Sequence, residues 1–278
     1  MVSIIICGRA PKISETQNKN IKNTIGNINY EIIYIDNSAK KYSIFEAYQK
    51  GVDLALFPYL CFMHEDLIFH SNHWGEILIN TLKDTSIGLI GTMGTYYLDT
   101  YSVYWTIQTL MRGSLVHKTN NNKYEIRKCN DHPELGNYAV AIDGLWMATR
   151  KELFNNSIFW DTKTYSGFHF YDMDLSLQIF TKGYKIKIID NISIEHKTKG
   201  IVNESFYINS MKFHKKWDKY LPITSANIPI ELIIKAQNIQ LNKICQNEIT
   251  LYQLKKLLSR LPYKIITKLY TLIGIKIW

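Results

Sequence analysis

The sequence predicts an α/β fold built on a mostly parallel sheet, and three observations carry that reading. Short apolar runs alternate with segments of helical spacing through the first part of the chain. Each run stops abruptly: the first at Gly8 to Pro11, the second at Asp36-Asn37-Ser38, the third at His64-Glu65-Asp66. With 278 residues, 46% of them hydrophobic, the chain is long enough to bury one large core. Strands that alternate with helices imply parallel pairing through right-handed crossovers.

The elements follow in order. Val2 to Cys7 reads as a buried strand and Asn18 to Ile28 as a helix with spaced apolar residues. Glu31 to Ile35 is the second strand. Ser43 to Leu56 has helical spacing, with Ile44, Ala47, Tyr48 and Val52 near one face, and Pro58 ends it. Tyr59 to Met63 is the third strand. A helix from Trp74 to Lys83 precedes a strand at Ile87 to Ile90 and a glycine-rich turn at Gly91-Thr92-Met93-Gly94. Thr95 to Pro133 shows weak periodicity and reads as an irregular excursion, where Tyr96, Tyr97, Tyr104 and Trp105 either stack on a ligand or fill a core. Tyr138 to Ile142 is a strand running into Asp143-Gly144, and Leu145 to Ala148 continues apolar. Thr164 to His169 is a loop and Asp172 to Thr181 a helix ended by Gly183. Tyr184 to Ile189 and Ile192 to His196 are strands, and Phe206 to Tyr220 is helical. Pro222 and Pro229 mark a linker, which divides the chain into a domain over 1–222 and a basic helical tail over 223–278.

Cys7, Cys61, Cys129 and Cys245 are far apart and form no metal-type pair, so free thiols in a reducing compartment are expected. No segment has the form of a secretory signal or the length of a bilayer span, and a cytoplasmic location is expected. The net charge of +9 calls for an anionic partner: nucleic acid, a membrane face or a phosphorylated substrate.

Ligands of parallel sheets bind beyond the carboxyl ends of the strands. Arg9, Asp36 and His64-Glu65-Asp66 therefore face one crevice. A strand seldom ends in clustered acids without a task, because ionised carboxylates must be hydrated, paired or metal-bound. Tyr171-Asp172-Met173-Asp174, followed by Gly183-Tyr184, a strand and His196, supplies a second such cluster. Two acidic clusters and a histidine suggest a divalent cation and a general base around an anionic substrate.

These residues, in this order, resemble the family 2 nucleotide-sugar glycosyltransferases, which have the GT-A fold. The likeness rests on Ser3-Ile4-Ile5-Ile6-Cys7, on Ile35-Asp36-Asn37-Ser38, on the acidic third-strand end and on the Gly167 to His196 signature, and it spans roughly residues 2 to 200. It is nearest a subset that writes His-x-Asp, here His64-Glu65-Asp66, for Asp-x-Asp. Tyr171 stands where an acid usually precedes the base, and Gln178 where an Arg is common.

The resemblance implies roles. Asp66 and His196 would ligate Mn²⁺ (or Mg²⁺), imidazole favouring the softer ion; the alternatives are a helix cap for Asp66 and an ordinary histidine for His196. Asp172 would be the general base of an inverting displacement, or an N-cap. Asp36 would contact a nucleoside, often uridine, or make an Asx-turn. Arg9 and His64 join it on the donor side, His64 touching ribose or phosphate or being held by bonds behind the metal. Asp143, Gly144, Trp146 and Tyr171 fall on the acceptor or sugar side.

The tail adds a partner. Leu251 to Trp278 carries Lys255, Lys256, Arg260, Lys264, Lys268 and Lys276, no acid, and Leu and Ile at near-helical spacing. Such a segment reads as an interfacial helix on an anionic inner membrane surface, or as a helix packed on its own domain or in a homodimer. The expected enzyme is a metal-dependent glycosyltransferase moving a sugar from a UDP-sugar to a glycan or lipid-linked acceptor in surface polysaccharide synthesis. Rival readings are a nucleotidyltransferase, for which Gly8-Arg9-Ala10-Pro11-Lys12 is a poor phosphate loop, and a nucleic-acid-binding protein, for which no recognition motif appears.

Overall fold

In the computed structural model, which describes residues 1–100, 108–118, 124–129, 132–155, 157–197 and 204–243, the chain builds outward from its first strand. That strand, β1 (Val2–Gly8), buries Val2, Ile4, Ile5 and Ile6 completely, the continuous apolar run of a strand covered on both faces. Helix α1 (Glu15–Thr24) starts earlier than its apolar spacing suggests, because the Ser14 side chain accepts from Gln17 N and caps it. It ends before Gly26, whose φ of +93° turns the chain towards β2 (Tyr30–Asp36). Helix α2 (Ile44–Leu54) opens with a reciprocal Ser43–Glu46 capping box. Its Gly51 lies so close to β1 that a Cβ there would meet Ile5 at 2.2 Å.

Strand β3 (Tyr59–His64) is followed at once by β4 (Leu67–Phe69), which belongs to a second sheet. Helix α3 (Trp74–Leu82) buries Trp74 in a stack on Phe69. The stretch Gly91 to Gly94 is not a turn. It joins β5 (Ile87–Gly91) of the first sheet to β6 (Met93–Thr95) of the second, and its glycines allow close approach, a Cβ on Gly94 falling 2.4 Å from the Ala141 carbonyl. The expected irregular excursion is also largely extended, as β7 (Tyr97–Leu98) and a hairpin of β8 (Met111–Lys118) with β9 (Tyr124–Cys129). The expected strand at 138–142 divides at Val140 into β10 (Tyr138–Ala139) and β11 (Ala141–Ile142), one in each sheet.

Strand β12 (Trp146–Arg150) runs antiparallel between β3 and β5 and leads into α4 (Lys151–Asn155). Then come α5 (Tyr171–Phe180), β13 (Lys185–Ile188), β14 (Ile194–His196), α6 (Glu204–Trp217), β15 (Ile223–Thr224) and α7 (Ile230–Lys243). The larger sheet has the order β10-β13-β5-β12-β3-β1-β2, with β10 and β12 opposing the other strands. The second has β11-β6-β8-β14-β4.

Residues 223–243, grouped with the tail by the prolines, lie on the domain. Ile223 pairs with Leu98, and α7 buries Ala236 against a small core of Tyr96, Tyr97, Leu110 and Ile228. Tyr96 and Tyr97 are thus core residues, while Tyr104, Trp105, Cys245 and Leu251 to Trp278 lie outside the described residues. Cys7 and Cys61 are free thiols. No helix among the described residues is long and apolar enough to cross a membrane.

One buried ionic hub ties α5 to α6. Asp174 accepts from Tyr165 Oη (3.1 Å), Gln178 Nε2 (2.8 Å), Trp217 Nε1 (2.8 Å) and Lys216 Nζ, which also reaches Asp161 (2.8 Å). Removing the cation would leave a buried carboxylate held by neutral donors. Lys216→Met is therefore expected to lower the unfolding free energy by about 3 kcal/mol, and adding Asp174→Asn should recover part of that loss. Chemical denaturation of the single and double variants measures both, and equal stability of wild type and Lys216→Met would show the pair to be solvent-screened.

Candidate active site

The register of the large sheet sets one edge of the site. Gly8 lies opposite Asp36, and Cys7 opposite His64, so the carboxyl ends of β2, β1 and β3 finish side by side. The second sheet brings the rest. Because β4 starts immediately after Asp66 and pairs antiparallel with β14, His196 lies opposite Leu67 and next to the acidic turn.

Three side chains converge there. His64 Nδ1 is 3.3 Å from His196 Nε2, and His196 Nε2 is 3.4 Å from Asp66 Oδ1. One ligand atom from each of the three lies within 4.8 Å of the others. Ligand atoms about 3 Å apart are what a cation with bonds of roughly 2.1 Å requires. The set therefore fits a divalent metal, and it includes His64 beside the expected Asp66 and His196.

Bonds from behind fix His64. Its backbone N–H donates to Leu145 O (3.0 Å), its carbonyl accepts from Gln17 Nε2 (2.8 Å), and its Nε2 lies 2.7 Å from Tyr171 Oη. A Nε2–H donated to Tyr171 would leave the Nδ1 lone pair facing His196 and Asp66, the tautomer a metal ligand needs. Gly144 makes room for this, since a Cβ there would lie 2.2 Å from the Tyr171 hydroxyl.

The electrostatics separate the two imidazoles. Burial, then the neighbouring His196, push the His64 pKa down to about 3, against the pull of Asp66. Burial also opposes charge on His196, but the hydrogen bond and charge of Asp66, with Asp143 behind, outweigh it and the net shift is upward. His64 is thus neutral, and His196 answers to the carboxylate.

Asp172 sits in the first turn of α5 but does not cap it, as the N-cap residue is Phe170 at φ +72°. Its Oδ2 accepts from Gly144 N (2.9 Å) and its Oδ1 from Met173 N (2.9 Å). Those bonds favour the anion, yet burial and then the charge of Asp143 prevail and push its pKa up to about 7. Asp143 accepts from Leu145 N at 3.0 Å in the same turn.

The other expected residues divide. Asp36 is exposed at the strand edge and makes the Asx-turn, accepting from Ser38 N at 2.9 Å. Arg9 is exposed and gripped by Glu65 through both its backbone N–H (2.8 Å) and Nε (2.6 Å). Trp146 does not reach the crevice. It is fully buried, edge-to-face with Trp74 at 6.4 Å, so it supports the site from the core. Sequence reasoning gave no role to Gln17 or Phe168, and it placed Glu65 in the crevice without its grip on Arg9. Gln17 had a signal, a polar residue in line with Ile21 and Thr24 on the buried face of α1. Phe168 had none, because its position depends on the packing of α6.

The profile described as Glycosyltransferase like family matches residues 3–220. Among solved structures, a mannosyltransferase from Pyrobaculum calidifontis in complex with GDP-Man and Mn²⁺ aligns with a TM-score of 0.51 at 10% identity, over 98% of this chain and 84% of that one. At that identity the likeness speaks for the fold, which is GT-A. No curated protein sequence matches the chain significantly.

Proposed function

From the chain's membership of the glycosyltransferase-like family, to which it belongs, we propose a metal-dependent, inverting transfer of a sugar from a nucleotide diphosphate donor. That it is a glycosyltransferase follows from the family; the donor, the metal and the residue roles are our reading. The convergence of His64, Asp66 and His196 beside the strand edge that carries Asp36 supports it most directly. A cation held by these three, Mn²⁺ in preference to Mg²⁺ because two ligands are imidazoles, would neutralise the leaving diphosphate. Asp36 would hold the nucleoside, and Arg9, fixed by Glu65, would lie near the phosphates. Uridine is the base we assign by family resemblance. The solved neighbour carries GDP-Man, so a donor screen should include both nucleotides.

Asp172 would take the proton of the acceptor hydroxyl. Inversion by direct displacement needs that base on the face opposite the leaving group, and a carboxylate titrating near neutrality is matched to the task. Tyr171, Tyr48 and Asp143 are the titratable groups around it, the tyrosines being held neutral by burial. A glycan or lipid-linked acceptor in surface polysaccharide synthesis would accord with the basic segment at Leu251 to Trp278, which we assign to an anionic inner membrane face.

Asp66→Ala and His196→Ala should each abolish the Mn²⁺-dependent part of nucleotide binding while the fold survives, and His64→Ala should do the same. Calorimetry with UDP and GDP, with and without Mn²⁺, is the measurement. Undiminished metal-dependent binding in all three variants would remove the metal assignment.

For the base, kcat/KM should rise with pH and level off above about 7, since the protonated carboxyl cannot accept a proton and the ionised one can. Asp172→Asn should cost roughly 10²–10⁴-fold in turnover and flatten that rise. A variant that keeps wild-type turnover, or the same pH limb, places the base elsewhere.

The tail is tested by truncation. Removal after Lys243 leaves α7 seated on Tyr96 and Tyr97, whereas a cut near Ile230 would strip that small core. The longer form should lose salt-sensitive co-sedimentation with anionic vesicles and keep nucleotide binding. Equal sedimentation of full-length and truncated protein would exclude membrane attachment through the tail.

A further inference from the structure

Phe168 is held out into the site. The residue is 46% exposed, although its ring centroid is only 5.4 Å from His64 and 5.7 Å from Tyr171. A lone exposed aromatic needs no explanation by itself. Here, however, the loop that carries it is stapled on both flanks. The buried Asn209 of α6 donates through Nδ2 to Ser166 O (2.7 Å) and His169 O (3.0 Å), the carbonyls on either side of the Gly167-Phe168 pair. Ile44 N, in the first turn of α2, donates to Gly167 O (2.9 Å). Gly167 and Phe170 both take positive φ, +74° and +72°, so the chain bends sharply on either side of the exposed ring. Left-handed backbone at a bulky residue such as Phe170 persists only where its surroundings impose it.

A ring fixed in this way offers a flat apolar face and no charge. It suits the C–H face of a pyranose and contributes nothing to binding a diphosphate. It also lies on the segment leading directly into the helix of Asp172, the group that must meet the acceptor hydroxyl. We propose that Phe168 is the stacking platform for the acceptor sugar, so that the acceptor presents a pyranose ring to this site. The assignment rests on the glycosyltransferase reading above and deepens it.

Saturation-transfer NMR can test it, irradiating protein aromatic protons in the presence of p-nitrophenyl glycosides of glucose, galactose, mannose and N-acetylglucosamine, with and without UDP or GDP and Mn²⁺. Wild-type protein should transfer saturation to the ring C–H protons of at least one glycoside. Phe168→Ala should weaken that binding about tenfold, Phe168→Trp should restore it, and nucleotide affinity should stay constant throughout. The platform is overturned if no glycoside binds wild type, if Phe168→Ala binds equally well, or if it weakens UDP or GDP, which would make Phe168 a base-stacking residue. Failure of both nucleotides to bind wild type would instead count against the donor reading, and the nucleotide-free glycoside arm would still decide the platform.

Discussion

The site depends on one strand pairing. β3 ends at His64, and after two residues the chain re-enters extended structure as β4, in a different sheet. The antiparallel pairing of β14 on β4 then brings a residue far along the chain, His196, to the turn that carries Asp66. Side-chain alternation makes such pairing unforgiving, because a slip by one residue would send His196 to the opposite face and bring Glu195 in its place. Glu195 instead points away and bonds His70 Nε2 at 3.0 Å. Asn20 of α1 reinforces the register by bonding both the N–H and the carbonyl of Phe69, at the far end of β4.

Burial pushes up the pKa of two acids two residues apart on α5, but their partners differ. Asp174 is surrounded by four donor side chains, one of them a cation, and serves as a structural knot. Among the described residues Asp172 has two backbone N–H donors and no paired cation, with Asp143 as a neighbouring negative charge. Its pKa therefore moves up, from the ordinary 3.8 to about 7. Since the folded value exceeds the unfolded one, the fold gains from this group at low pH and loses that gain as pH rises through about 7. The ionised form costs on the order of a few kcal/mol of stability. A knot at Asp174 is well placed to hold the helix that bears this cost.

The strands of the larger sheet were legible because central parallel strands are apolar throughout and end in turn residues, as Val2 to Cys7 and Tyr59 to Met63 do. The strand-end acids and His196 were legible by the same logic, aided by the order of motifs. What stayed hidden was the second sheet. Four of its strands have only two or three residues, and the longer β8 carries Arg112 and Ser114 among its apolar residues. β6 and β11 depend on glycines and on a switch between sheets at Thr92 and Val140, which no periodicity records. Trp146 looked like a ligand-facing aromatic next to Asp143-Gly144, but strand alternation turns it into the core against Trp74. The convergence of His64 with Asp66 and His196 needed coordinates, since it depends on which ring nitrogen faces His196.

The role of α6 explains why the domain extends past the motifs. The recognisable signature ends near His196, yet Asn209 and Lys216 lie beyond it, on a helix with no sequence motif of its own. Asn209 shapes the loop before α5 by holding its carbonyls, and Lys216 holds Asp174 one turn into that helix. Between these anchors lie Phe168, Tyr171 and Asp172, the first two of them packed directly against His64. A helix without a motif thus fixes this side of the candidate site from behind. The chain folded on top of it through β15 and α7 extends that support, because Ile223 and Ala236 close over Leu98 and the Tyr96–Tyr97 core. Among the described residues the packed unit therefore includes β15 and α7 and does not stop at the prolines that interrupt the sequence pattern.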